Sequence, residues 1–221
     1  MDVLTAIEQR RSTRAFTTQT PPPSLLREVL DTARWAPSGA NTQPWHVAVV
    51  AGETKRQLCD ALSEAKQSDV PANPDYHYYA NPVTEPYRAR QKACGMALYT
   101  ALDISRDDHD SRKAQWIKNY HAFGAPALML LFVDAALEKG SWIDMGMFIQ
   151  NIMLAARGYG LETCPQAALA EYPDIVRNTL SIAPEQSLIC GIAIGYGDSE
   201  QPVNQYRTER ESVDTFTSWY R

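Results

Sequence analysis

No apolar run in this 221-residue chain is long enough to cross a bilayer as a helix, which takes about 20 residues. The longest, Ala125 to Val133 (APALMLLFV), suits a buried strand. The opening MDVLTAIEQRRS has no long apolar stretch behind a basic head, so no secretory leader is expected. A basic stripe is also missing. The 21 Lys and Arg against 26 Asp and Glu leave a formal net charge of −5, with nothing to repay contacts to a phosphate polymer. Neither a membrane nor a nucleic acid is therefore an expected partner. Cysteine is sparse: Cys59, Cys94, Cys164 and Cys190 form no CxxC pair. A chain of this length builds a core without cross-links, so four reduced thiols and a cytoplasmic location are expected. His46, His77, His109 and His121 match no metal-ligand spacing, and Asp107 to Asp110 do not follow a calcium-loop pattern. No metal site is expected. There is no Walker loop, GxGxxG fingerprint or GxSxG elbow. The glycines at 191, 195 and 197 lie in and after a predicted strand, without the helix that a dinucleotide fold requires.

What is present reads as one domain, residues 1–221, of mixed helix and strand. Val3, Leu4 and Ile7 form an apolar face on a first helix over 2–9, with Asp2 as its cap. A second helix starts near Ser24, behind the prolines at 21–23, and ends before Pro37. Strands are predicted at 45–50, 125–134, 161–164 and 188–196, and helices at 53–67, 87–102, 107–119, 142–157 and 167–179. The helix at 142–157 is apolar over so broad a face that it belongs in the interior. Residues 68–90 carry a long Pro-, Asn- and Tyr-rich stretch that reads as a loop or lid. The tail, 198–221, ends in Phe216, Trp219 and Tyr220, which are expected to pack, on a partner subunit if not on this one.

Four clusters could carry chemistry. Arg10, Arg11, Ser12, Thr13 and Arg14 offer planar guanidinium forks and hydroxyls suited to phosphate oxygens. A solvated basic turn favouring the end of the preceding helix reads as well. Pro37, Ser38, Gly39, Asn41 and Gln43 lie on a loop whose polar groups either face a planar heterocycle or simply shape the turn. Cys164, Pro165 and Gln166 lead into a helix start, where unpaired N–H groups can face a ligand. Cys164 itself has no histidine placed to activate it, so a structural role is preferred. Tyr76, His77, Tyr78 and Tyr79, followed by Tyr87, Arg88 and Arg90, could hold a flat, anionic ring by stacking and charge, or anchor a long loop.

Four stretches taken in order carry a resemblance across nearly the whole chain: RRSTR, WAPSGANTQPWHVAVV, WIDMGMFIQNIMLAARGYGLETCPQ, and IAIGYGD with the PVN and arginine that follow. The chain resembles the FMN-dependent nitroreductase family, and within it the members that reduce nitroaromatic compounds such as nitrobenzoates. That resemblance implies an α+β, nitroreductase-like fold. A central, mostly antiparallel sheet is flanked by helices, and the C-terminal extension embraces the partner of a homodimer. It implies FMN as cofactor and NAD(P)H as co-substrate. Hydride would pass to the flavin and on to a small aromatic acceptor in a ping-pong cycle, taking nitro to nitroso to hydroxylamine. Quinone, flavin or enone reduction, or reductive dehalogenation, are alternatives on the same fold; flavin binding without turnover is another, and an interaction protein with a basic turn lies outside the class.

By the same resemblance, Arg10, Ser12 and Arg14 hold the FMN phosphate, with Arg11 close to the flavin. Arg210 joins them from the tail. Some relatives have a lysine where this chain has Thr208, which leaves Arg207 as a substitute. Pro37, Ser38, Gly39 and Asn41 of the second subunit lie over the flavin, and Gln43 is structural. The backbone of Pro165, Gln166, Ala167 and Ala168 faces the ring. Many relatives carry Glu-Gly at the last two positions, so no acidic role transfers to 167. Asp144 matches a position near the pyrimidine edge. No catalytic side chain is implied.

Overall fold

A computed structural model describes all 221 residues. In chain order its elements are α1 (Val3–Gln9), α2 (Pro23–Ala33), β1 (His46–Ala51), α3 (Gly52–Gln67), α4 (Tyr87–Ala101), α5 (His109–Ile117), β2 (Ala127–Asp134), α6 (Lys139–Gly158), β3 (Glu162–Gln166), α7 (Pro173–Leu180), β4 (Gln186–Gly195) and α8 (Val213–Phe216). The four strands form one sheet in the order β1-β2-β4-β3, antiparallel at every step.

Alternation along β2 explains the two layers around this sheet. Ala127, Met129, Leu131 and Val133 pack toward α2 and α6 with Leu26, Val29, Phe148 and Ile152. Leu128, Leu130 and Phe132 face the other way, onto Leu58 and Leu62 of α3 and Val176 of α7. Successive side chains point to opposite faces, and both faces are covered, so β2 is one apolar run from Ala127 to Val133, and only its last residue, Asp134, is polar and exposed. The same logic accounts for α6, whose Met145, Phe148, Ile152 and Ala156 are all buried. No helix is long and apolar enough to cross a membrane.

The ends of several elements follow local rules. Asp2 caps α1 by accepting from the Thr5 N–H at 3.1 Å, and Pro23 occupies the first turn of α2, where no N–H is needed. The helix expected over 167–179 divides. A 3₁₀ turn spans Ala167–Glu171 and α7 follows from Pro173. Pro173 cannot donate, and it pushes Tyr172 out of the helical region (φ −129°, ψ 62°). The strand expected at 161–164 runs on to Gln166.

No helix or strand occupies residues 68–86, but the first part is tied down. The Val70 carbonyl accepts from the Tyr172 hydroxyl at 3.0 Å, and Tyr76 donates its hydroxyl to the Ile189 carbonyl at 2.6 Å. Between them Asp75 takes both forks of Arg177, at 2.8 and 2.9 Å, and accepts the Leu188 N–H at 2.8 Å. The apolar face of α1 is turned outward instead: Val3, Leu4 and Ile7 are exposed. Phe216, Trp219 and Tyr220 are exposed too, so the tail aromatics find no packing within their own chain.

Candidate functional site

The basic turn is fixed before any ligand is considered. Arg10 leaves α1 with extended ψ (131°), and the chain then runs beside the free edge of β3. Thr13 donates its N–H to the Thr163 carbonyl at 2.9 Å, and its hydroxyl to Glu162 at 3.2 Å. Arg14 donates its N–H to Asn204 at 2.7 Å, and Asn204 returns its amide to the Ala15 and Asp198 carbonyls. Thr13 is thus a buried structural residue. The arginines around it project into a cavity.

That cavity, of about 600 Å³, is lined by Arg10, Arg11, Ser12 and Arg14 from the turn and by Arg207 and Arg210 from the tail. Not one of these five guanidiniums forms an ion pair with a carboxylate, although Arg34, Arg56, Arg88, Arg90, Arg157 and Arg177 all do. Burial holds the Arg10 guanidinium below its ordinary pKa, and the neighbouring charges of Arg210 and Arg207 lower it further. Clustered cations without a counter-ion are costly unless an anion joins them. Arg207 also has a structural duty. It donates to the Glu8 and Gln9 carbonyls at 2.6 and 3.0 Å, capping the C-terminal end of α1. Arg210 folds onto the Thr208 and Glu209 carbonyls of its own turn.

A second cavity of about 640 Å³ adjoins the first and shares Arg14 and Cys94 with it. Pro165, Gln166, Ala167 and Ala168 form one wall, and Tyr76, Tyr78, Tyr79 and Trp116 contribute aromatic surface. Because the Thr163 carbonyl points to Thr13, away from β4, the backbone nitrogen of Pro165 two residues on points outward as well. A proline costs the sheet no hydrogen bond there. The turn beginning at Ala167 leaves its first N–H groups without helical acceptors. Gln166 is buried and donates its amide to the Asn119 carbonyl at 2.8 Å, while its Oε1 has no partner. Gly191 lets the turn sit this close: a Cβ there would come within 2.3 Å of Leu169 Cδ1.

The remaining residues singled out in the sequence lie elsewhere. Pro37, Ser38, Gly39 and Asn41 line neither cavity, and nor does Asp144. Asp144 is buried and accepts the Gly39 N–H at 3.2 Å, so it holds this loop of its own chain. Ser38 Oγ accepts the Gln43 N–H at 2.9 Å, and Gln43 donates to the Asn41 carbonyl at 3.3 Å. Ala40, Asn41 and Gln43 all have positive φ, a conformation those bonds maintain. Cys164 is fully buried and its thiol is pushed up to about 11, so it is no nucleophile. Sequence reasoning missed Cys94, Tyr206 and Glu171 as lining residues. No motif marks them, because α4, the tail and the turn after β3 meet only in the folded chain.

The α+β fold thus sets five arginines without carboxylate partners beside an aromatic cavity, an arrangement suited to a flat ligand bearing a phosphate. The chain belongs to the nitroreductase family, whose family model matches residues 7–196. It is 36% identical over 211 residues to a 4-nitrobenzoate reductase of Pseudomonas putida, covering 96% of this chain and 92% of that one. It is 33% identical over 214 residues to a chloronitrobenzene nitroreductase of Comamonas testosteroni, covering 96% and 94%. Among solved structures, the FMN and NADPH-dependent nitroreductase NfnB from sphigopyxis sp. strain HMH superposes with a TM-score of 0.98 at 37% identity, covering 100% of both chains.

Proposed function

We propose that this chain is an FMN-dependent reductase that passes two electrons from NADH or NADPH to small nitroaromatic acceptors. The observation that carries the reading is the set of five unpaired guanidiniums around one cavity, opening at Arg14 onto an aromatic one. A phosphate monoester supplies the charge those arginines lack, and the fork geometry of guanidinium suits its oxygens. Arg10, Arg11, Ser12 and Arg14 would hold the phosphate, with Arg210 and the remaining donors of Arg207 closing over it from the tail. The backbone from Pro165 to Ala168 would lie along the ring. FMN, when bound, supplies the redox chemistry, accepting hydride from the nicotinamide and giving it to the acceptor. The chain's own part is binding, orientation and shielding from water. Tyr78, Tyr79 and Trp116 offer faces on which a planar acceptor can stack. No side chain is assigned a covalent or acid–base role.

The working unit is proposed to be a homodimer. Pro37 to Asn41 line neither cavity of their own chain, which leaves them available to cover the flavin of a second copy, with Asp144 holding the loop in shape. Exposed Val3, Leu4 and Ile7 of α1, and the exposed aromatics of the tail, supply apolar surface for that association and for a C-terminal extension wrapped on the partner. A cytoplasmic location fits these properties.

The test is the visible absorption spectrum of the purified protein, repeated after NADPH or NADH and then after nitrobenzene. A flavin spectrum bleached by the nucleotide and restored by the acceptor is expected. A colourless protein that takes up no FMN would overturn the reading.

A further inference from the structure

Arg14 is held by one face and one corner. Its guanidinium lies over the Phe123 ring, 6.0 Å from the centroid. Nη1 donates to the Ser12 carbonyl at 3.4 Å and to the Tyr206 hydroxyl at 3.0 Å. Nε and Nη2 have no acceptor within the chain. The side chain is therefore fixed, with one edge of its fork left for a ligand in the cavity it lines.

The hydroxyl at that corner has a proton of its own to place. A phenol oxygen can accept one hydrogen bond and donate another. Tyr206 accepts from Arg14, and no atom of the chain accepts its proton. Glu8, the carboxylate on the cavity wall, takes no hydrogen bond from it. Tyr206 is half-buried and lines the same cavity as Arg10, Arg11, Ser12 and Arg14. Burial raises its pKa, against a lowering by Arg14, so the phenol keeps its proton at neutral pH. Donation from a cation polarises the O–H and strengthens the bond it makes next.

The place of the ring does not depend on that hydroxyl. On one side Asn204 is tied to Arg14, Ala15 and Asp198, and on the other Arg207 donates to the Glu8 and Gln9 carbonyls. The tail is thus anchored before and after Tyr206 by bonds in which its side chain takes no part.

We propose that Tyr206 is a further anion-binding residue of this site: its hydroxyl accepts from Arg14 and donates its proton to the phosphate, so that the two select phosphorylated flavin over its unphosphorylated parent. The inference rests on the reading of this cavity as the FMN phosphate site. A donor that meets no acceptor until the anion arrives favours the ligand that brings one, because a ligand without it leaves the hydroxyl unpaired. Riboflavin has the ring and the ribityl chain of FMN and lacks only the phosphate.

The experiment titrates apoprotein and its Tyr206→Phe variant with FMN and, separately, with riboflavin. Phenylalanine keeps the ring and both anchors of the tail, so the variant should unfold in urea at the native midpoint. Its FMN Kd should rise about tenfold, as expected for one hydrogen bond to a charged group, with riboflavin affinity unchanged. An FMN Kd within about twofold of the native value, or an equal loss for both flavins, would overturn the proposal. In the Arg14→Ala, Tyr206→Phe double variant the loss should be smaller than the product of the two single losses, because the two residues act through one contact. Losses that simply multiply would separate Tyr206 from Arg14 and overturn their shared role. A protein that takes up neither flavin loses the FMN reading, and inorganic phosphate then tests Tyr206 alone. Phosphate should raise the unfolding midpoint of the native apoprotein more than that of Tyr206→Phe. Equal rises would overturn the anion-binding role.

Discussion

Thr13 donates its backbone N–H to the carbonyl of Thr163 at 2.9 Å, and Pro165 stands two residues farther along the same strand. The turn that presents the arginines and the segment that walls the aromatic cavity are therefore mounted on one element, β3. Their separation is set by backbone geometry, which leaves the side chains free to face ligand. Glu162 secures this joint by accepting the Thr13 hydroxyl at 3.2 Å and pairing with Arg157, both partners of that pair being mostly buried.

Glu162→Gln should consequently damage stability and cofactor binding together. Removing one partner of a mostly buried pair strands the other charge, at a cost of about 2 kcal/mol after allowance for the exposure that remains. Urea unfolding of the apoprotein should show that loss, and FMN titration a weaker Kd. A variant with unchanged unfolding midpoint would remove Glu162 from this role.

Arg14→Ala is expected to be more specific. The side chain lines both cavities and has no carboxylate partner to leave behind. One charge-assisted contact to phosphate is worth about 1.5–3 kcal/mol, or about 10- to 100-fold in Kd. Titrating apoprotein with FMN by absorbance measures it directly, and equal affinity in the two proteins would defeat the phosphate assignment.

How much of this was legible in the sequence depended on the range of the interaction that decides each feature. Asp2, the prolines at 21–23 and the unbroken apolar run of β2 act through neighbours in the chain, and the elements they predict are present. Pro173 acts locally too, yet its break in the predicted 167–179 helix was masked by apolar residues on both sides. The site divides in the same way. Arg10, Arg11, Ser12 and Arg14 fall within five residues and stand out as a motif. Glu171 and Cys94 are lone residues on elements that meet across the cavity, and no spacing announces them. The outward face of α1 shows the reverse: periodicity correctly marks Val3, Leu4 and Ile7 as one stripe, but cannot say that the stripe is left uncovered by its own chain.

The strap before α4 gives a prediction about mobility. Asp75 holds Arg177 with two hydrogen bonds and also receives the Leu188 N–H, in a place where both side chains are largely buried. Asp75→Ala should cost about 3 kcal/mol by stranding Arg177 and an N–H group. In the native protein, limited proteolysis should cut within 77–86 before it cuts within 70–76, because the latter segment is bonded to Tyr172, Glu171 and Arg177. First cleavage at 70–76 would contradict that order.

The four thiols supply the last test, because burial separates them sharply. Cys94 is exposed and lines both cavities, whereas Cys59, Cys164 and Cys190 are buried. Burial raises the Cys59 thiol, pushes Cys164 up to about 11 and Cys190 up to about 12, each from an ordinary 9.0. A raised folded value favours the protonated native state. The stabilisation is complete below the unfolded value and is lost as pH climbs through the folded one, so these cysteines contribute to a fall in stability from about pH 9 upward. At pH 8 a thiol reagent should therefore modify Cys94 and leave the buried three, reaching all four only after denaturation. Bound FMN should slow the modification of Cys94, because that thiol borders the cavity of Arg10, Arg14 and Arg210. Mass spectrometry of the modified peptides reads both effects: rapid native labelling of Cys164 would contradict its burial, and labelling of Cys94 at one rate with and without FMN would place the cofactor elsewhere.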